Sequence, residues 1–394
     1  MRLNRIAAVA LVLALGCQQE KKQATPSEQA QKDWNSARAG VLINLAKEQY
    51  QTGNLDKCRL TLNDALKLMP GSEPLHVLSA RVSIEQGQPE YAERELQIAR
   101  ELVPADGEPY YLSGVVYQRW QKLDTAYEFY GKAAERSPAE LSYVLAQSEM
   151  LVAMNRINDA LLLLQARVTY FEHSGTIRDA VGQLMMQQGR FAEAVAMLRE
   201  ASILAEDDPG IRERLALALY RNKDYREASE VISGLVQTDP FSKRVDMFTL
   251  LGECQLQLNR PREARASFET ASQLDPYSAH AWQCLGRAAL ETGDFRRAEI
   301  ALTKSLSIDN AAGETHLLLG YVRLREDRLA DALASFKKAS ALDHTDTVSL
   351  CMVGYAFQKL GNPDAANRCY SNALKLNPGD EMARQLISGL DLHD

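Results

Sequence analysis

Few of the side chains on which catalysis is built are present in this 394-residue sequence, which has six histidines, six cysteines and an aromatic content of 7%. The histidines, His76, His173, His280, His316, His344 and His393, lie far apart. No His-Glu-x-x-His spacing sets two of them on one helix face, so no metal site is expected. Gly-x-x-x-x-Gly-Lys-Ser/Thr, Gly-x-Gly-x-x-Gly and Gly-x-Ser-x-Gly are absent, which removes support for a phosphate loop or a nucleophile elbow. Carboxylates are plentiful but scattered, and pairs such as Asp207-Asp208 read as solvated helix ends. The expectation is a chain that is not an enzyme and holds no cofactor. Basic runs do not exceed pairs such as Lys337-Lys338, and 45 Lys+Arg against 52 Asp+Glu leave a net charge of -7, so nucleic acid is not an expected partner. Beyond Cys17 the cysteines form an odd set without compact spacing, which excludes a disulfide framework.

What is present is an apolar fraction of 46% with 25% charged residues, enough for a substantial buried core. The first residues stand apart. Arg2 and Arg5 precede the wholly apolar stretch Ala7 to Leu15, and Gly16 precedes Cys17, the pattern of a signal peptide over residues 1–16. Nine apolar residues fall short of the ~20 that span a bilayer. Ala14-Leu15-Gly16-Cys17 resembles the lipobox of bacterial lipoproteins, although Leu usually stands at the place of Ala14 and a small residue at that of Leu15. That resemblance implies lipidation of Cys17 as the mature N-terminus and anchoring to the cell envelope, two or more acyl chains being enough for stable attachment. Gln18, rather than Asp, after the cysteine implies the outer membrane, facing the periplasm. Residues 17–38 then form the lipidated N-terminus and a flexible tether, since Gln18 to Asp33 is almost devoid of apolar residues.

From about Ala39 one period dominates. Pro70, Pro104 and Pro138 are 34 residues apart, and the step continues through Glu172 and Glu206 to Pro240. A two-residue insertion resets the count to Pro276, Asn310, His344 and Pro378. A second marker is a column of small residues, Ala46, Ala80, Gly114, Ser148, Gly182, Ala216, Gly252, Gly286, Gly320 and Gly354. A third is a small residue followed four positions later by a bulky one, as in Ala126 and Tyr130, Ala264 and Phe268, or Ala332 and Phe336. Small and large residues alternate at helical spacing, as interdigitated helices require. Gly53, Gly87, Gly189, Gly293 and Gly361 fall at the turn inside a unit, where a left-handed residue is needed.

Trp282-x-x-Leu285-Gly286 with Ala298-x-x-x-Leu302, and Phe248-x-x-Leu251-Gly252 with Ala264-x-x-x-Phe268, Ala271 and Pro276, resemble the tetratricopeptide signature. The resemblance covers some 340 residues (~10 units of 34). It implies an all-α, right-handed superhelical solenoid of about ten helix-turn-helix repeats. Six repeats are expected in 39–240 and four in 241–380. The remainder, 381–394, is expected to be a capping helix whose apolar residues include Met382, Leu386, Ile387 and Leu390. The weakest units run from Leu141 to Ser174, where Arg167 replaces a small residue, and from Gly175 to Asp208, where Arg178 replaces an aromatic one. A hinge is expected at the insertion, near 240–247.

In this family function normally lies on the groove lined by the first helix of each unit. Tyr111, Arg119, Tyr220, Arg221, Arg287, Tyr321, Arg325, Tyr355 and Gln358 are the residues expected there, because Tyr and Arg anchor interfaces most often. The pattern predicts that Tyr321, Arg325 and Tyr355 form one patch. Pairs such as Gln283 with Arg287 stand where a carboxylate clamp would need Lys and Asn, which disfavours a receptor for C-terminal tails. Cys58 and Cys369 occupy apolar packing positions. Cys254 and Cys284, on first helices of neighbouring units, leave open either packing or a disulfide. The expected function is a protein-binding scaffold of the bacterial envelope, similar to lipoproteins of pilus assembly, secretion or exopolysaccharide export. The alternative is a carbohydrate-binding component of an export apparatus, its groove stacking sugars on Tyr.

Overall fold

The computed structural model describes residues 26–388. The signal peptide, Cys17, the start of the tether and the last residues of the cap lie outside the described residues. Among those described there are 21 α-helices, one short 3-10 turn and no strand. The chain divides into two compact units after Arg167.

The first unit holds four helical hairpins: α1 (Pro26–Gln51) with α2 (Leu55–Leu68), α3 (Glu73–Glu85) with α4 (Pro89–Leu102), α5 (Glu108–Arg119) with α6 (Leu123–Arg136), and α7 (Leu141–Ala153) followed by α8 (Ile157–Val168). The second holds six: α9 (Gly175–Gln187) with α10 (Phe191–Leu204), α11 (Pro209–Arg221) with α12 (Tyr225–Leu235), α13 (Val245–Gln257) with α14 (Pro261–Leu274), α15 (Ala279–Glu291) with α16 (Phe295–Ile308), α17 (Gly313–Arg325) with α18 (Leu329–Leu342), and α19 (Thr347–Lys359) with α20 (Pro363–Leu376). A short helix, α21 (Glu381–Ile387), follows and buries Ala383 and Leu386 against Tyr370 and Ala373. Ten hairpins and a terminal helix are the architecture expected from the period.

One turn closes every hairpin. The residue after the turn donates its N–H to the carbonyl five positions back, as Asn54 does to Gln49 (2.8 Å), Asp224 to Leu219 (2.9 Å) and Asn362 to Phe357 (2.9 Å). This Schellman closure needs a left-handed residue just before the donor. Five hairpins supply glycine there, from Gly53 (φ +74°) to Gly361 (φ +77°). The other five use Gln121, Asn155, Lys223, Asn259 and Asp327 at φ between 57° and 68°. Asn and Asp tolerate this region best, so Gln121 and Lys223 carry the greater steric cost.

The small-residue column and the bulky knobs meet as the spacing predicts. A Cβ on Gly252 would stand 2.5 Å from the Phe268 ring, and one on Gly286 2.5 Å from Leu302. Gly114 and Gly354 stand equally close to Tyr130 and Tyr370. Phe268, Phe336, Tyr130 and Tyr370 are almost completely buried. Their rings fill the gap that glycine opens between the two helices of a hairpin. In four hairpins a residue near the start of the first helix ties the turn before it. Trp282 Nε1 donates to Pro276 O (3.0 Å), His76 Nε2 contacts Pro70 O (2.8 Å) and His316 Nε2 contacts Asn310 O (3.1 Å). Arg178 fills the same place by donating to Ser174 O (3.2 Å) and pairing with Glu200 (2.9 Å), so one of the two units expected to be weakest keeps an anchor.

Two expectations need correction. Residues 26–38, expected as tether, belong to α1. Pro26 opens that helix where no donor is missed, and Gln29 with Asp33 and Gln31 with Asn35 bridge successive turns at 3.0 Å. The insertion near 240–247 is not where the chain divides. Phe241, at the start of the 3-10 turn, is buried with Leu235 and Met247, and Arg244 bonds Glu213 (2.8 Å), so α12, the turn and α13 share one core. The division follows Arg167 instead. Nine hairpins bury Ala, Ser or Leu at its repeat position, as with Ala133, Ala201 and Ala271, whereas Arg167 is half exposed.

Candidate functional site

First helices of neighbouring hairpins touch one another as well as their own partners, α3 with α5 in the first unit, and α13 with α15 and α15 with α17 in the second. These odd-numbered helices form a continuous row within each unit.

One polar constellation of the second unit runs across α11, α13 and α15. The Tyr220 hydroxyl donates to Glu253 Oε2 (2.8 Å). Burial first, then the bond to Glu253, pushes this phenol up to about 12, so it stays a donor. The other carboxylate oxygen, Oε1, lies 3.8 Å from His280 Nε2. His280 Nε2 in turn lies 3.7 Å from the sulfur of Cys284, one turn along α15. Burial pushes the Cys284 thiol up to about 12, with Glu253 and Glu314 adding to the rise and Arg287 opposing it. Arg287 follows on the same helix, and its Nε is buried without a hydrogen-bond acceptor. A pocket of about 490 Å³ opens beside this group, lined by Asp246, Thr249, Leu250, Glu253, Ser278 and His280.

The residues singled out from the sequence make different contacts within their own units. In the first unit Tyr111 stacks on Tyr143 (4.7 Å between centroids, 21°) and tilts against Tyr130, while Arg119 donates to the carbonyl of Ile84 (2.5 Å). In the second unit Tyr220 is tied to Glu253 and meets Tyr225 edge-on, and the neighbouring Arg221 is exposed. Tyr321 meets Phe336 edge-on (5.5 Å) and packs on the core of α18 and α19, so it is more a core residue than a contact residue. Tyr355 packs on that same core and carries Lys359 over its ring (5.2 Å), whereas Arg325 is exposed. Gln358 accepts from the Tyr370 hydroxyl (2.8 Å), as Gln118 does from Tyr130 (2.6 Å), which makes both glutamines tethers for buried phenols. Cys254 and Cys284 are buried free thiols rather than a disulfide. The constellation at Glu253, His280 and Cys284 was not singled out, although His280 and Cys284 are four apart on one helix face and their spacing was there to be read.

Consecutive helical hairpins closed by one recurring turn define a helical-repeat protein. The chain carries tetratricopeptide repeats. Tetratricopeptide-repeat models match residues 107–140 and 185–251, and a model described as Cilia and flagella-associated protein 70 C-terminal domain matches 235–391. Anaphase-promoting complex subunit 7 of Dictyostelium discoideum is 28% identical over 167 residues, covering 42% of this chain and 29% of that protein. Protein CTR9 homolog of Arabidopsis thaliana is 23% identical over 390 residues, covering 81% of this chain and 35% of that protein. The chain thus spans about a third of the length of these relatives, both eukaryotic. Among solved structures, the APC/C hetero-tetramer Cut9-Hcn1 is 12% identical, covers 89% of this chain and 96% of that chain, and has a TM-score of 0.46.

Proposed function

We propose that this chain is a non-catalytic scaffold of the bacterial cell envelope that docks protein partners on its first helices and is held to the membrane by a lipid on Cys17. The observation that carries the docking reading is Arg287 Nε, a buried donor on the first-helix row with no acceptor of its own. Arg287 as a whole is only half-buried, so a partner carboxylate or carbonyl can meet the remaining donors of its guanidinium. Pilus assembly, secretion and polysaccharide export are the processes proposed, on the strength of the lipobox and repeat pattern alone. The carbohydrate-binding alternative is the weaker reading, since Tyr111, Tyr220 and Tyr321 spend their ring faces or hydroxyls on contacts inside the fold. The negative net charge favours protein over nucleic acid as the partner class.

Arg287→Leu removes the unmet donor while keeping the bulk, and Arg221→Ala trims an exposed charge on another first helix. Both should melt like the wild type, and the Arg287 variant should lose a partner that the wild type retains in co-purification from membrane extracts. An unchanged partner set in both, with loss caused by substitutions on second helices, would move recognition to the opposite face. Anchoring is tested separately. Cys17→Ser should shift the protein from the detergent-extracted fraction to the soluble one with unchanged helical circular dichroism. A wild-type protein that is already soluble after cell breakage would rule the lipid out.

A further inference from the structure

We propose that Glu253, His280 and Cys284 bind a single divalent cation of the zinc class, joining α13 to α15 on the first-helix row. One ligand atom from each, a carboxylate oxygen, an imidazole nitrogen and the sulfur, all lie within 4.8 Å of one another. Tetrahedral zinc, with bonds of about 2.0 to 2.3 Å, holds neighbouring ligand atoms roughly 3.3 to 3.6 Å apart. The sulfur to His280 Nε2 separation of 3.7 Å and the His280 Nε2 to Glu253 Oε1 separation of 3.8 Å are close to that already. The His280 side chain is 63% exposed, so its ring can turn to aim Nε2 at the common centre without disturbing the core.

The surroundings resemble those of a built site. Tyr220 occupies Glu253 Oε2 and leaves Oε1 toward the centre, the outer-sphere bond that fixes a ligating carboxylate. Cys284 borders Phe268, Leu285 and Ala288, which keep water from its far side. The adjoining pocket leaves a fourth coordination position open to solvent or to a partner side chain. Sulfur and nitrogen donors with one oxygen select zinc over magnesium or calcium, which take oxygen sets. On binding, the Cys284 thiol releases its proton to solvent, while Glu253 enters as a carboxylate and His280 as a neutral imidazole. Thiolate and carboxylate then balance the two positive charges of the ion. The nearby charges of Arg287 and Glu314 oppose one another.

The inference stands apart from the docking reading, because it is tested on the isolated full-length chain with no partner. After treatment with a chelator, titration with zinc chloride should show one saturable site per chain with proton release. Cobalt(II) in its place should give the near-ultraviolet band of a cobalt-thiolate bond. Cys284→Ser should abolish that band, and His280→Ala, at an exposed position that does not test folding, should weaken zinc binding at least about tenfold. Tyr220→Phe should weaken it about 10- to 100-fold through the outer sphere. Cys254→Ser should leave both signals in place. Absence of a saturable site, or a cobalt band that survives Cys284→Ser, would overturn the proposal, as would zinc binding unchanged in His280→Ala.

Discussion

Glu73 begins α3 with Asp106 and Glu108 of the next hairpin nearby. Loss of hydration first, then repulsion and a hydrogen bond from Asp106 and repulsion from Glu108, push its carboxyl up to about 7, against a smaller pull from His76. A carboxyl with a raised folded pKa takes up a proton on folding, so stability falls as pH rises from the unfolded value near 4.5 to about 7. Solvent reaches Glu73, which limits the size of the effect. Glu73→Gln should flatten that stretch of the melting temperature against pH and raise the melting temperature at pH 8. An unaltered slope would assign the dependence to other groups. The same scale shows why the individual site residues were hard to read. The repeat position of Tyr321 places it on a first helix, but whether its ring faces solvent depends on Phe336, which only packing reveals. The His280 and Cys284 spacing was legible, while Glu253 and Tyr220 join them only through contacts between different helices, distant in sequence.

At the scale of the hairpin most of the structure was written in the sequence, because each unit repeats the same two demands. A turn needs a left-handed residue, and a helix crossing needs a small residue facing a large one. Gly252→Ala puts a methyl group 2.5 Å from the Phe268 ring and should cost about 1 to 3 kcal/mol by denaturant unfolding. Combined with Phe268→Leu, which frees that space, it should cost less than the sum of the two single changes; strict additivity would deny the contact. The insertion was misread because one extra apolar residue can either break a stack or fill it. Phe241 fills it, and Phe241→Ala should cost about 3 to 5 kcal/mol, far more than a loose linker would show. The helical start of α1 was missed for the opposite reason, since a polar stretch without an apolar stripe gives periodicity nothing to register, and propensity with side-chain bridges decides.

Within each unit the contacts join hairpins to their neighbours, so stability is close to a sum of nearest-neighbour terms. The damage done by Phe241→Ala should therefore stay local. Amide hydrogen exchange should accelerate through 225–257 and the flanking hairpins while residues 26–167 keep their protection. Uniform acceleration along the chain would mean one cooperative unit in place of two. The division after Arg167 shows what a count of repeats leaves out, since one charged side chain in an otherwise small, buried column marks the boundary that the proline period passes over.

The identical closure of all ten hairpins also bears on how the molecule would carry a load. Elements that grip only their neighbours yield one after another under tension. Each repeat of 34 residues would pay out on the order of 110 to 120 Å of chain as it gave way. Stretched from its two ends, this protein would behave as a stepwise extensible cord, absorbing force in instalments where a single-core domain of the same length would fail at once.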